Sequence, residues 1–399
     1  MVNYKNLLII NEMIRQIFES PFEVSLQIFA QNLPYLEDVY FILPYSKGIN
    51  YTAKFKKLNL DDLDVLHFFE SETLYCLNQE SLIAEIMMRQ NFALKIVSCV
   101  SLDTQIQSYI YRQYKKQIVS VPQSIEELKK IKNSHLCCID CLAYTLENAL
   151  FNLDYLDSPV YIENSEAFEL YFYNDLTLAQ NSSRQIINLS KDVFASTWGT
   201  WYRRQYKLYY LALLMMTDIN INFNHLSVYE KEKMIVQYFH ENIGIISERE
   251  MNLAKLFFMH GTKINFFGKI QKGRNDIIKN LKNMAWDIFH IQNTLNNITI
   301  QTNSNVDFTI PFFVTYDERL KGILPVYRIK AAAFIKNTRT KFTQYTLDLI
   351  DPIIKQKYFT AEAYAERAKS IAEADEQILF DKIEQEINII ENKFIYKKS

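Results

Sequence analysis

Two aspartates stand at the ends of apolar runs: Asp103 closes ALKIVSCVSL and Asp317 closes IPFFVTY, and each is followed at once by sequence that reads as a helix start. Such runs predict buried strands, so both carboxylates should emerge at C-terminal strand edges, where open α/β sheets place their chemistry. A third acid, Asp287, sits inside the periodic stretch NDIIKNLKNMAWDIFHIQNTL. A charge beside that much apolar surface is costly unless something pairs with it. Three such acids suggest a metal site, and a metal site suggests hydrolysis.

The stretch around Asp287 predicts a helix. Ile277, Leu281, Met284, Ile288, Ile291 and Leu295 define one apolar stripe. At about 100° per residue, Asp276, Asn280, Asn283 and Asp287 fall on a second, polar stripe beside it. A helix lining a cleft needs such a row, with carboxylates for a cation and amides for phosphate or water. The competing reading is a solvated flank. Asp103 and Asp317 likewise have a plainer alternative as helix N-caps, and His290, one turn after Asp287, reads either as a general base or as a packed residue.

The rest of the chain bounds these possibilities. Its 399 residues suit two or three domains, and 49% hydrophobic and 14% aromatic content supplies a large core. With only 7 Gly and 8 Pro, and no GxGxxG or GxxxxGK[ST] string, neither familiar nucleotide cradle is expected. A net charge of -2 and a pI near 6.4 argue against coating nucleic acid by bulk electrostatics. Glu12 and Arg15 interrupt any signal-peptide core, and LYYLALLMM at 208–216 is too short to span a membrane. A soluble, cytoplasmic chain is expected. Five cysteines form no disulfide framework and fit a reducing compartment; the CCxxC cluster of Cys137, Cys138 and Cys141 reads as core residues rather than zinc ligands, for lack of a second pair.

The elements that must position the acids fall into three segments. Residues 1–92 open with a helix and mix short apolar runs; 93–335 begin and end with strands around a helical insertion at about 155–245; 336–399 form a C-terminal helical segment. Within the insertion, WGTWYRRQYKLYY interleaves aromatics with Arg203, Arg204 and Lys207, a composition suited to stacking on bases and contacting phosphates, or else to an ordinary amphipathic helix. From Thr360 to about 395, Ile371, Ile378, Ile383, Ile387, Ile390 and Phe394 mark one long helix whose apolar face packs on its own chain or on a second copy.

NMAWDIFHI followed by PFFVTYDERL resembles the closing half of a PIN-like nuclease domain, in which an acid on a helix precedes a strand ending in Thr-x-Asp. Asp103 in VSLDTQIQSYI matches that family's opening strand ending in Asp-Thr, and Glu147 in CLAYTLENALF matches its acid on an early helix. The resemblance covers roughly 93–335. It implies a helix-rich α/β fold with a PIN-like parallel sheet flanked by helices, carrying an N-terminal extension and a C-terminal helix. It further implies cleavage of phosphodiester bonds, in RNA or alternatively DNA, with Asp103, Glu147, Asp287 and Asp317 binding Mg²⁺ or Mn²⁺. Thr104, Thr315 and Asn283 would be supporting residues. A toxin or defence role, with an inhibitory or activating protein partner, extends the same analogy.

The chain departs from the compact family pattern in the roughly 140 residues between Glu147 and Asp287, which lets Glu248 and Glu250 compete as the second acid. Glu250 also fits an S-x-x-E capping box with Ser247. Other hydrolase classes fit less well: a phosphatase of the haloacid dehalogenase type needs an acid where Gln105 stands, no GxSxG elbow occurs, and Arg249 and His260 are too far apart for a helical RNase pair. The non-enzymatic alternative is a helical interaction protein whose acids are caps and surface charges.

Overall fold

A computed structural model describes residues 4–45, 54–56, 64–87, 94–132, 137–270, 276–296, 306–336 and 341–396. Nine strands are defined among them: β1 Val39–Pro44, β2 Lys54–Lys56, β3 Asp64–His67, β4 Thr73–Leu77, β5 Ile96–Leu102, β6 Cys137–Asp140, β7 Phe308–Thr315, β8 Ile329–Ile335 and β9 Lys341–Tyr345. They form two sheets, one of order β2-β4-β1-β8-β9 and one of order β3-β7-β5-β6, within an otherwise helical chain. The architecture is helix-rich α/β.

The first sheet is antiparallel throughout. Its central strand β1 is apolar at successive positions because both faces are covered. Val39, Phe41 and Leu43 meet Ile14, Ile17, Phe18 and Phe29 of the helices Tyr4–Glu19 and Phe22–Gln31. Tyr40 and Ile42 point the other way, into the main core shared with the second sheet.

In the second sheet β6, β5 and β7 are parallel, and β3 runs antiparallel along β7. The sheet is therefore mixed rather than wholly parallel. Every residue of β7 is buried, as a strand covered on both faces requires. No sheet boundary falls at residue 92: β3, from before it, joins the second sheet, while β8, near the end of the 93–335 segment, joins the first.

The long helix Thr197–Asn222 runs through the main core, and its LYYLALLMM stretch is buried on all sides. Among the described residues no helix is long and apolar enough to cross a membrane. The expected single helix from Thr360 is instead two, Ala361–Glu373 and Glu376–Tyr396. Thr360 caps the first through the Ala363 N–H, and the Asp375 carboxylate caps the second by accepting from the N–H groups of Gln377 and Ile378. The apolar periodicity continues across this break, so it could not reveal it. Ile383, Ile387 and Ile390 are buried in the main core. Lys207–Glu384 at 2.6 Å and Lys282–Glu391 at 3.2 Å tie this helix to its own chain.

Candidate acidic site

The parallel register of β5 and β7 pairs Leu102 with Val314, which brings Asp103 and Thr315 level at the same sheet edge. Thr315 is fully buried and donates its hydroxyl to Asp103 Oδ2 at 2.6 Å, while accepting at 2.9 Å from the Asp317 N–H. One threonine thus fixes both strand-end acids. Asp103 occupies the N-cap position of the helix Thr104–Tyr114, yet its side chain makes no capping hydrogen bond. Burial lifts its carboxyl above the ordinary carboxylate value; Glu147's charge adds to this, and the Thr315 hydroxyl and His290 oppose it.

Asp317 does cap. It accepts from the Arg319 N–H at 3.0 Å and from Arg319 Nε at 2.7 Å, and also pairs with Arg319 Nη2. Burial would raise its carboxyl, but the hydrogen bonds from Arg319, with the charges of Arg319 and Lys269, hold it below the usual value. Glu147 extends from the helix Leu142–Ala149 and accepts from Thr104 Oγ1 at 2.6 Å. His290 Nε2 lies 3.8 Å from the same carboxylate. The net shift of Glu147 is downward, His290 and Thr104 outweighing burial.

Asp287 projects from the helix Ile277–Asn296 and is half-buried. Its carboxyl is pushed up to about 8, first by burial and then by the negative charges of Asp317, Asp103 and Glu147, with Arg319 pulling the other way. Three acids from three other elements thus act electrostatically on Asp287. Neither Glu248 nor Glu250 is among the charges that shift Asp287. Asn283 is exposed one turn before it. His290 is buried, its ring stacked against Trp286 and Phe313. The helix capping box expected at Ser247 is not made: Ser247 forms no side-chain cap, and Glu250 is buried instead, accepting from Gln292.

As they stand, no group of three or more His, Cys, Asp or Glu among the described residues is arranged to hold a metal ion. The hydrogen bonds give a reason. Asp103, Glu147 and Asp317 are each held by a donor of the chain, Thr315, Thr104 and Arg319 respectively. The chemistry of the donor set nevertheless suits a hard divalent cation: all-oxygen ligands, and an Asp287 carboxyl raised by burial and then by surrounding like charge.

Two cations, Arg319 and Lys269, join the acids in the folded chain. Arg319 lies in the TYDERL string two residues after Asp317, where a cation beside a strand-end acid is a readable signal; Lys269 is brought in by folding alone. Asp140, which closes β6, repeats the strand-end pattern but is occupied by Ser101, Cys99 and the Leu142 N–H. The three cations of the aromatic helix have internal partners. Arg203 donates to the Leu150 and Phe194 carbonyls, Arg204 is 4% exposed and pairs with Glu376, and Lys207 pairs with Glu384.

Comparison with family models, with curated proteins and with solved structures gives no match for this chain.

Proposed function

We propose that the chain is a metal-dependent nuclease with a PIN-like acidic site, cleaving phosphodiester bonds in RNA. The observation that carries this reading is the linkage of the two strand ends and the Glu147 helix: Thr315 donates to Asp103 and accepts from the Asp317 N–H, Thr104, next to Asp103, donates to Glu147, and the charges of all three acids add to burial in raising the Asp287 carboxyl. Structural caps and surface charges have no reason to gather in this way, since each like-charge neighbour raises the cost of ionising the others.

Asp103, Glu147, Asp287 and Asp317 are the residues that would hold Mg²⁺ or Mn²⁺, directly or through water. When bound, such a cation lowers the pKa of a ligated water and offsets negative charge growing on the phosphoryl oxygens. Thr315 orients Asp103 and Thr104 orients Glu147, so neither carboxylate is free to rotate away. Arg319, about one-third exposed, offers a guanidinium at the rim that suits phosphate oxygens. Asn283, exposed one turn from Asp287, presents an amide to the same side of its helix. The intracellular toxin or defence setting, with a protein partner that restrains or triggers cleavage, belongs to the same proposal.

Incubation of a mixed RNA pool with Mn²⁺ tests this. Cleavage by the wild-type chain that disappears in Asp287→Asn and in Asp317→Asn, with both variants folded, is the expected result. The scaffold reading draws on the own-chain donors that already hold three of the four acids. Unchanged cleavage in both variants, or none by the wild type, would favour it.

A further inference from the structure

Away from the acids, a cavity of about 80 Å³ lies between the helix Thr197–Asn222 and the start of the helix Glu248–His260. Its polar lining comes from Gln205, Tyr209, Ser247, Arg249 and Glu250. Glu250 is 7% exposed; its Oε1 accepts a long 3.5 Å hydrogen bond from Gln292, and its Oε2 is buried with no partner. Arg249 lies with its guanidinium over the Tyr345 ring, 5.4 Å from the centroid, and forms no hydrogen bond or ion pair among the described residues. Neighbouring helical residues point about 100° apart, which keeps these opposite charges from closing on each other while both line one space.

The Glu250 carboxylate, held by one long hydrogen bond, and the partly exposed Arg249 guanidinium, resting on the Tyr345 ring, are two lightly held charges of opposite sign on residues that line one cavity. The unused capping box belongs to the same feature, since Ser247 and Glu250 line the cavity rather than bond each other. One water needs about 10–15 Å³ of such space, so the cavity accommodates a guest of roughly five to eight non-hydrogen atoms. Leu208, Ala212 and Phe239 supply an apolar wall.

We propose that this cavity is a binding site for a small free α-amino acid, its carboxylate on Arg249, its ammonium on Glu250 and its side chain against the apolar wall. The zwitterion matches both charges at once, and the volume selects guests of the size of alanine, serine, threonine or valine. The site shares no residue with the acidic cluster and does not depend on the nuclease reading.

Calorimetry and thermal shift on the full chain test it, with alanine, serine, threonine and valine as probes at up to about 10 mM, a range in which binding to the folded state alone raises the melting temperature. At least one probe should bind. N-acetylalanine, which lacks the ammonium, and alaninamide, which lacks the carboxylate, should each bind at least about tenfold more weakly than alanine, by loss of a charge-assisted contact. Arg249→Gln and Glu250→Gln should abolish binding; if either variant fails to fold, the two analogues on the wild-type chain decide the matter. No binding by any of the four amino acids, or equal binding of the blocked analogues, would overturn the proposal.

Discussion

The elevated Asp287 carboxyl makes a quantitative prediction about protons. With a folded-state value of about 8 against 3.8 for the free side chain, the native protein holds a proton that the unfolded chain has already released. An acid raised in this way stabilises the fold below its unfolded value, and that contribution is lost as pH rises towards the folded value. Metal-free stability should therefore fall between about pH 4 and pH 8. The shift corresponds to a ceiling of about 6 kcal/mol at 1.36 kcal/mol per pH unit; an effective dielectric near 20 around a half-buried group reduces this to about 2–3 kcal/mol. Asp287→Asn cannot ionise and should flatten the slope, leaving the variant more stable than wild type at pH 8. The same proton must leave when a cation binds. At pH 7 a group of this pKa is about nine-tenths protonated, so Mn²⁺ binding should release about 0.9 proton from it, falling to about 0.1 at pH 9. Calorimetry in buffers of different ionisation enthalpy measures this release, and thermal melts across the pH range measure the slope. A wild-type protein with flat stability from pH 4 to 8, or Mn²⁺ binding without proton release at pH 7, would refute the burial and like-charge crowding assigned to Asp287.

Further predictions follow from individual contacts. Arg319→Gln removes the guanidinium from the Asp317 carboxylate while the backbone N–H cap stays, and titration calorimetry should show Mn²⁺ binding about threefold to tenfold tighter, a coupling on the order of 1 kcal/mol. Thr315→Val leaves Asp103 without its buried donor; denaturant melts should record a loss of about 1–3 kcal/mol, accompanied by weaker metal binding. Ile387→Ala opens a hole where the last helix packs on its own chain, costing about 2–4 kcal/mol in chemical denaturation with no dependence on protein concentration; a concentration-dependent loss would point to a second copy covering that face. Gly199→Ala places a Cβ 1.9 Å from the Phe194 carbonyl oxygen, a backbone clash that should depress the melting temperature by several degrees, since about 1 kcal/mol or more is expected of such overpacking.

Much of the second sheet is legible in the sequence, because β5 and β7 are continuous apolar runs ended by an acid and so carry both the strand and its acidic terminus in one string. Asp287 was legible as an acid on the polar row that borders an apolar helical stripe. Glu147 was not legible from its own surroundings, which are those of any amphipathic helix; only the family resemblance singled it out. The exchange of β3 and β8 between sheets escaped because a four-residue strand has too few positions to show alternation, and its partner β7 lies some 240 residues away. Ser247 and Glu250 match a capping box in sequence, but Glu250 is drawn inward, where it accepts from Gln292 of a distant helix. Asp375 shows the converse: its capping chemistry was present in the string, and the apolar repeat running through it concealed the break.

Crystals of the chain soaked in Mn²⁺ test the proposed meeting of four carboxylates most directly. The anomalous difference map is predicted to hold a peak among the side chains of Asp103, Glu147, Asp287 and Asp317, lost in Asp287→Asn. A map with no peak there at high occupancy of the soak, or with manganese only at unrelated surface acids, would contradict it.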